Sequence, residues 1–236
     1  MKLTYLYHSG FSLEFDSFSI IIDFFEDTDT EYVRNVLLSS SKPLYVLSTH
    51  SHHDHFNREI LTWKHRKGNI TYIFSKEILD SELANQNDAI YLNKFDEYKD
   101  EFIQIKAYGS TDAGASFAIK AGNLKLFHAG DLNNWHWNEE STAEEIKEAE
   151  DYYKFELSQV ANDIRHLDLA MFPIDPRLGK DFMKGATQFI KTIQTDRLIP
   201  MHFTSYPSKV KSFEAIAKEH NCEYICLVKK GDFITL

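Results

Sequence analysis

The stretch that decides the fold is residues 49–56, THSHHDHF, in which four histidines and one aspartate occupy six consecutive positions. The whole chain of 236 residues has only eleven histidines. The stretch directly follows PLYVLS, an apolar run typical of a strand that is buried on both faces. Titratable side chains that converge where a buried strand ends favour a metal site over a solvated, histidine-rich loop.

The spacing within this stretch suits two adjacent metal ions. His50 and His52 stand two residues apart and project to the same side of an extended chain. Asp54 and His55 follow, and a turn there directs them to a second point, while His53 points away. Neutral imidazole and carboxylate are ligands of Zn, Mn and Fe in hydrolytic sites. We therefore expect two divalent metal ions, with Zn favoured and Mn or Fe as alternatives.

Two later stretches place a polar residue at the end of an apolar run. LKLFHAGD delivers Asp131, whose carboxylate is able to bridge two metals, and RLIPMHF delivers His202, which is able to complete the second metal site. Taken singly, each residue is equally well interpreted as a structural polar group with satisfied hydrogen bonds. Together with residues 49–56 they indicate one site.

The organisation of the chain predicts an α/β layered sandwich. Strand-like runs dominate the first half, and strands alternate with helices after residue 165. Between them, residues 141–164 form the clearest helix, because Ser141 and Thr142 are each followed three places later by a glutamate, as in a capping box. No Pro, Ser or Gly-rich linker interrupts residues 1–236, so we expect a single domain.

Composition excludes several classes of function. A formal net charge of −10 argues against nucleic acid as a partner. Cys222 and Cys226 lie in a strand-like run that does not let them bridge easily, which favours a reducing interior. The first residues lack the apolar core of a signal peptide, and no apolar run has the length of a membrane span. We expect a cytoplasmic protein with a small-molecule substrate, and an oligomer is possible.

These motifs resemble those of the metallo-β-lactamase superfamily. Residues 50–55 resemble its His-x-His-x-Asp-His signature, HAGD its bridging-aspartate motif, and PMHF its last histidine motif. The opening YHSGFSLEF resembles the branch that contains ascorbate-6-phosphate lactonase and N-acyl phosphatidylethanolamine phospholipase D. The resemblance implies a four-layer αββα sandwich, and hydrolysis of an ester, amide, lactone or phosphodiester by a metal-bound hydroxide.

Carried over residue by residue, the resemblance also implies a set of ligands. His50 and His52 would bind the first metal. Asp54, His55 and His202 would bind the second, and Asp131 would bridge the two together with the hydroxide. Asp54 would in addition orient the nucleophile or relay a proton, so Asp54 and Asp131 are the predicted catalytic residues.

One departure from the family pattern concerns the first metal. The family supplies a third histidine between the signature and the bridging aspartate, and here that region reads AYGSTDAGASFAI. Asp112 is the best replacement, with Ser110 and Thr111 as weaker donors, although Asp112 is also a plausible turn residue. Ligation by Asp112 would shift the preference from Zn towards Mn or Fe. The missing histidine leaves open a rival function, a degenerate member that binds a metal or metabolite without turnover.

Other residues have weaker assignments. His8 either holds a metal ligand in place or packs within its strand. Trp135 and His136 follow Asp131 and are predicted to contact substrate, although tryptophans also commonly fill the base of a loop. Asp175 ends a strand and either supports a ligand or starts a helix, and Arg177 is predicted to meet an anionic substrate.

Overall fold

A computed structural model describes residues 1–203 and 206–236. The chain forms two compact units. The first unit comprises Met1–Asn93 and Leu227–Leu236, and the second comprises Lys94–Cys226. Each unit is built on one seven-stranded sheet, which confirms the predicted mixture of strands and helices. The expectation of one domain over residues 1–236 stays a prediction.

The first unit has a sheet with the strand order β16-β1-β2-β3-β4-β5-β6. Strands are numbered along the chain, and their bounds in this sheet are β1 Lys2–Tyr7, β2 Gly10–Glu14, β3 Ser19–Ile22, β4 Leu44–Ser48, β5 Ile70–Ser75, β6 Ile90–Leu92 and β16 Phe233–Thr235. Strands β16, β1, β2 and β3 pair antiparallel, whereas β3 to β6 run parallel. Strands β3 and β4 are buried along their whole length, as continuous apolar runs in a parallel sheet require.

Short helices cover this sheet. They are one turn of π-helix at Val33–Leu37, a 3₁₀ helix at Arg58–His65 and helix α1 at Lys76–Asp80. Their apolar side chains, among them Trp63 and Ile78, pack with residues of β3, β4 and β5 in one hydrophobic core. The π-helical turn lies within residues 30–40, TEYVRNVLLSS, whose sequence pattern is that of a short helix.

The second unit has a sheet with the strand order β15-β14-β12-β10-β9-β8-β7. The bounds are β7 Glu97–Lys99, β8 Ile103–Tyr108, β9 Ser116–Ala121, β10 Leu124–His128, β12 Leu169–Pro173, β14 Arg197–Met201 and β15 Glu223–Tyr224. A separate pair consists of β11 His166–Leu167 and β13 Gln194–Thr195. Strands β9 and β10 form a hairpin, as the turn sequence AGN between two strand-like runs predicts. Strands β10, β12, β14 and β15 run parallel.

Three α-helices belong to the second unit, namely α2 Ala143–Asp163, α3 Lys184–Thr192 and α4 Phe213–Glu219. Single 3₁₀ turns occupy Pro176–Asp181 and Val210–Ser212. Of the two capping boxes that the sequence offers, the chain uses the one formed by Thr142 and Glu145. Tyr153 of α2 is buried and its hydroxyl donates to the carbonyl of Gly185 at 2.8 Å, which joins α2 to α3. No helix within residues 1–203 and 206–236 combines the length and the apolarity that crossing a bilayer requires.

Candidate metal centre

The histidine stretch begins at the carboxyl end of β4, as predicted. His50 is buried, and its Nε2 lies 3.1 Å from Nδ1 of His52. Two nitrogen ligands of one tetrahedral zinc ion at about 2.0–2.1 Å lie about 3.3 Å apart. The separation of the two histidine nitrogens therefore fits two ligands of a single metal ion. His52 is exposed, so this pair opens towards solvent.

The second half of the stretch turns back on the first. The backbone N–H of His55 donates to the carbonyl of His52 at 2.9 Å, which closes a tight turn. As a result the rings of His50 and His55 lie 4.0 Å apart, centroid to centroid. His53 points away from them, with 86% of its side chain exposed. The predicted outward orientation of His53 is therefore correct.

A buried carboxylate, Asp23, holds this turn from the neighbouring strand. Asp23 follows β3 and accepts hydrogen bonds from the Thr49 backbone N–H at 2.8 Å and from the Thr49 hydroxyl at 2.7 Å. Its Oδ2 also lies 2.8 Å from Nδ1 of His55. A carboxylate favours the tautomer with a proton on Nδ1, so Nε2 of His55 is the nitrogen suited to binding a metal.

His8 contacts Asp54 in the same unit. His8 lies in the turn between β1 and β2, with φ of 56°, and its Nε2 is 3.2 Å from Oδ2 of Asp54. Ligand atoms of His8, Asp54 and His55 lie within 4.8 Å of one another. Burial alone would raise the pKa of Asp54, but the hydrogen bond from His8 and the nearby His55 hold that pKa well below its ordinary value. Asp54 is therefore ionised, as a metal ligand must be.

A second carboxylate holds the stretch from the strand on the opposite side of β4. Glu77 lies at the start of α1, directly after β5. It accepts the Ser51 backbone N–H at 2.8 Å and the Ser51 hydroxyl at 2.5 Å. Ser51 stands between His50 and His52, so this contact fixes the backbone that links the two histidines.

In the second unit, three predicted site residues follow adjacent parallel strands. Asp131 comes after β10, Asp175 after β12 and His202 after β14. Nε2 of His202 lies 3.5 Å from Oδ1 of Asp131, and both side chains are almost fully buried. The order of the strands therefore brings these three residues to one edge of the sheet, as predicted for Asp131 and His202.

Asp175 contacts His202 and begins a helical turn. It caps the 3₁₀ turn by accepting the Arg177 backbone N–H at 2.9 Å, and its Oδ2 lies 2.8 Å from Nδ1 of His202. Burial would raise the pKa of Asp175, but the contacts with His202 and Arg177 lower it. The ionised carboxylate favours a proton on Nδ1 of His202 and directs Nε2 towards Asp131.

The guanidinium of Arg177 is bound to Asp175 rather than extended. Nε donates to Asp175 Oδ2 at 2.8 Å and Nη2 donates to the same oxygen at 2.5 Å. About half of the side chain, 52%, is nevertheless exposed. The predicted contact of Arg177 with an anionic substrate stays a prediction, and the described contact is to the carboxylate that holds His202.

The aromatic residues after Asp131 form a wall beside His202. The Trp135 ring lies 5.3 Å from the His202 ring, and the Trp135 indole N–H donates to the Asp131 carbonyl at 2.8 Å. Trp137 stacks on Trp135 at 6.3 Å. His136 is buried, and its Nδ1 donates to the Asn134 carbonyl at 2.7 Å. Trp135 therefore borders the ligands, whereas His136 packs inside its own loop.

Asp112 lies in an exposed turn, as its surrounding sequence STDAG suggests. Its backbone N–H donates to the Ser110 hydroxyl at 3.3 Å. A carboxylate oxygen of Asp112 and one of Asp131 lie within 4.8 Å of each other. The neighbouring Thr111 hydroxyl donates to the carbonyl of Asn133 at 2.6 Å, which makes Thr111 a structural residue of this loop. Of the three candidates, Asp112 has the most suitable side chain for ligation.

Two functional residues were missed by the sequence reasoning, Asp23 and Glu77. Both are acidic residues that lie within two positions of the end of a strand in the parallel part of the first sheet. That position is the signal that could have found them, because the carboxyl ends of parallel strands meet at one edge.

Comparison with known proteins places the signature within a described family. Residues 2–148 match the model of the beta-lactamase superfamily domain. This range contains residues 49–56, Asp112 and Asp131, and ends before Asp175 and His202.

Similar proteins extend over the whole chain. A "UPF0173 metal-dependent hydrolase" of Desulforamulus reducens is 24% identical over 255 residues, with all of both chains covered. Among solved structures, the metallo hydrolase Igni18 of Ignicoccus hospitalis has a TM-score of 0.72 at 20% identity, covering 100% of this chain and 97% of that one. The diiron β-hydroxylase CmlA of Streptomyces venezuelae has a TM-score of 0.67 at 11% identity, covering 100% of this chain and 54% of that one. The last likeness shows that this fold by itself does not fix the reaction.

Proposed function

We propose that this chain, which belongs to the metallo-β-lactamase superfamily, is a metal-dependent hydrolase that cleaves a small ester, lactone or phosphodiester. The observation that carries the proposal is the donor set of the first unit. His50 and His52 offer nitrogens 3.1 Å apart, and a buried carboxylate prepares His55 for ligation. Buried imidazoles with a carboxylate behind them are the common arrangement of histidine ligands to a metal.

The proposed centre would hold two divalent ions, with the ligands that the family pattern implies. His50 and His52 would hold the first ion. Asp54, His55 and His202 would hold the second, and Asp131 would serve both. Asp112 takes the place of the third histidine of the first ion. Zn is favoured by the imidazole-rich set, and Mn or Fe becomes competitive if the oxygen of Asp112 binds.

When bound, such ions would lower the pKa of a water molecule, and their positive charge would stabilise the developing oxyanion. The protein contributes the preparation of its ligands. Asp54, with its pKa held well below the ordinary value by His8, stays ionised at neutral pH. Asp54 is therefore proposed to bind the second ion, and in addition to orient the nucleophile or to relay a proton.

The second unit contributes a ligand pair of fixed orientation. Asp175 holds Nδ1 of His202, and Arg177 neutralises the charge of Asp175 through two hydrogen bonds. Asp131 is held beside them by the Trp135 indole, which donates to its carbonyl. Because these hydrogen bonds are formed in the absence of substrate, the side chains need little reorganisation during the reaction.

The substrate class follows from the branch that the opening sequence resembles, which favours lactones and phosphoesters. Trp135 is proposed to pack against the apolar part of the substrate, and the exposed part of Arg177 to attract a negative group. His136 is proposed to contribute to substrate binding through the loop that carries Trp135, which it stabilises by its hydrogen bond to Asn134.

A cytoplasmic location accords with the cysteines, since Cys222 and Cys226 are thiols rather than a disulfide. The acidic composition favours a small molecule over nucleic acid as the partner.

The test is a hydrolysis assay with protein stripped of metal and reloaded with Zn, Mn or Fe. The substrates are p-nitrophenyl esters, simple lactones and bis-p-nitrophenyl phosphate. We expect hydrolysis of at least one class, dependent on metal, and a loss of about 10²-fold or more in Asp131→Ala. Asp151→Ala, which removes an exposed carboxylate on α2, is the matched control. Metal binding without hydrolysis of any class would favour the non-catalytic binder. Unchanged activity in Asp131→Ala would contradict the proposed role of Asp131 in the centre.

A further inference from the structure

The loop that carries His50 and His52 is held from both sides by carboxylates of neighbouring strands. Asp23 follows β3 and binds Thr49, the residue before His50. Glu77 follows β5 and binds Ser51, the residue after His50. Strand β4 lies between β3 and β5 in the sheet. The backbone on either side of His50 is thus fixed by separate anchors.

We propose that Glu77 is a positioning residue for the first metal, which it controls through Ser51. The inference rests on the proposed function, because it concerns the geometry of proposed ligands. Glu77 has no role in ligation here. Its two oxygens accept the two donors of one residue, the Ser51 N–H at 2.8 Å and the Ser51 hydroxyl at 2.5 Å. A carboxylate that accepts two donors from one residue restrains both its position and its orientation.

The position of Ser51 explains why this restraint matters for a metal. The relative position of the His50 and His52 rings depends on the backbone conformation of Ser51, the residue between them. Rotation about the Ser51 backbone would separate their ring nitrogens, which now lie 3.1 Å apart. His52 is exposed, so the backbone between the two histidines contributes to the position of its ring. Glu77 supplies the contact that holds this backbone.

Glu77 also makes hydrogen bonds within α1 and to its cap. The Ser75 hydroxyl accepts the Glu77 backbone N–H as the cap of α1, and the Ser81 hydroxyl donates to Glu77 Oε1 at 2.8 Å. The side chain is therefore aimed at the loop before any metal binds. Its role is preorganisation, since a ligand pair fixed in advance loses less entropy on binding.

The experiment compares wild type, Glu77→Ala and Glu77→Gln, with Asp80→Ala as the matched control. Asp80 lies on the same short helix, but its carboxylate is exposed and contacts Lys76. Affinity for Zn²⁺ is measured by competition with a chromophoric chelator, and Co²⁺ spectra report the coordination geometry. We expect Glu77→Ala to lower affinity at one of the two sites by about 10-fold to 100-fold. Glu77→Gln should retain part of the affinity, because its carbonyl still accepts the Ser51 N–H.

Hydrogen exchange of the Ser51 amide in metal-free protein tests the contact without metal or activity. We expect slow exchange in wild type and Asp80→Ala, and faster exchange in Glu77→Ala. If Glu77→Ala fails to fold, Glu77→Gln and Ser51→Ala, each of which weakens one of the two bonds, replace it in every measurement. Equal Zn²⁺ affinity and equal Co²⁺ spectra in wild type and the Glu77 variants would overturn this inference alone. A wild-type protein that binds no metal would instead overturn the proposed function and the inference with it.

Discussion

Replacement of Asp23 by asparagine is expected to change the stability of the fold little and to lower the metal affinity of the histidine stretch strongly. In the wild type, Asp23 accepts three hydrogen bonds, from the Thr49 N–H, the Thr49 hydroxyl and Nδ1 of His55. An asparagine that keeps its carbonyl towards the Thr49 N–H presents its NH₂ group to the other two partners. The hydroxyl is able to accept, but Nδ1 of His55 accepts only in its unprotonated form. The imidazole proton must then move to Nε2.

The magnitudes follow from this exchange of donors. Asp23→Ala leaves two buried N–H donors without an acceptor, at about 1–3 kcal/mol each, so we expect a loss of about 2–6 kcal/mol in the free energy of unfolding. Asp23→Asn remakes all three bonds as neutral ones, and we expect a loss of about 1–2 kcal/mol. Metal affinity behaves differently, because a protonated Nε2 cannot bind a metal. We expect Asp23→Asn to lose about 10-fold to 100-fold in affinity.

The assay combines urea unfolding of metal-free protein, Zn²⁺ titration against a chelator, and ¹⁵N chemical shifts of the His55 ring, which report its tautomer. Asp27→Asn is the matched control. Asp27 is also a buried carboxylate of the first unit, but it accepts backbone N–H groups of residues 28, 33 and 34, away from the histidines. A folded Asp23→Asn protein with wild-type Zn²⁺ affinity would refute the reasoning, because the tautomer of His55 would then not depend on Asp23.

Three further predictions concern the second unit. Asp112→Ala is expected to lower the metal content from two ions to one per chain by elemental mass spectrometry, and an unchanged content would remove Asp112 from the site. The pKa of Asp175 is lower in the folded state than in the unfolded state, where it is about 3.9. The ionised carboxylate therefore stabilises the fold at pH values above about 3.9, and this stabilisation is lost as the pH falls through the pKa of the folded state. The stability gap between wild type and Asp175→Asn, measured by urea unfolding of metal-free protein, should therefore shrink below about pH 4, and a constant gap would contradict the assignment. Thr142→Ala removes the side-chain cap of α2 and should cost about 1 kcal/mol in thermal or urea unfolding, whereas Ser141→Ala should cost little.

Local patterns in the sequence predicted those parts of the fold that depend on neighbouring residues. The hairpin of β9 and β10, the capping box of α2 and the buried strand β4 all follow from short-range propensity and periodicity. The same patterns placed His50, Asp131 and His202 at strand ends, which is where the structure has them.

The contacts that prepare the ligands were not predictable in the same way, because they join distant parts of the chain. Asp23 lies 26 residues before Thr49 and 32 before His55, and Ser51 lies 26 residues before Glu77. Glu156 of α2 is a further case. Glu156 is buried and pairs with Lys94, 62 residues away. Only the pairing of strands and helices brings such residues together.

The measurement that tests the central claim most directly is the metal content of the wild-type chain, purified without added metal or chelator and analysed by elemental mass spectrometry. The account predicts close to two divalent ions per chain, falling in a protein that lacks both His50 and His52 while its fold is retained. A folded wild-type protein that carries no metal, and takes up none when Zn²⁺, Mn²⁺ or Fe²⁺ is offered, would contradict it.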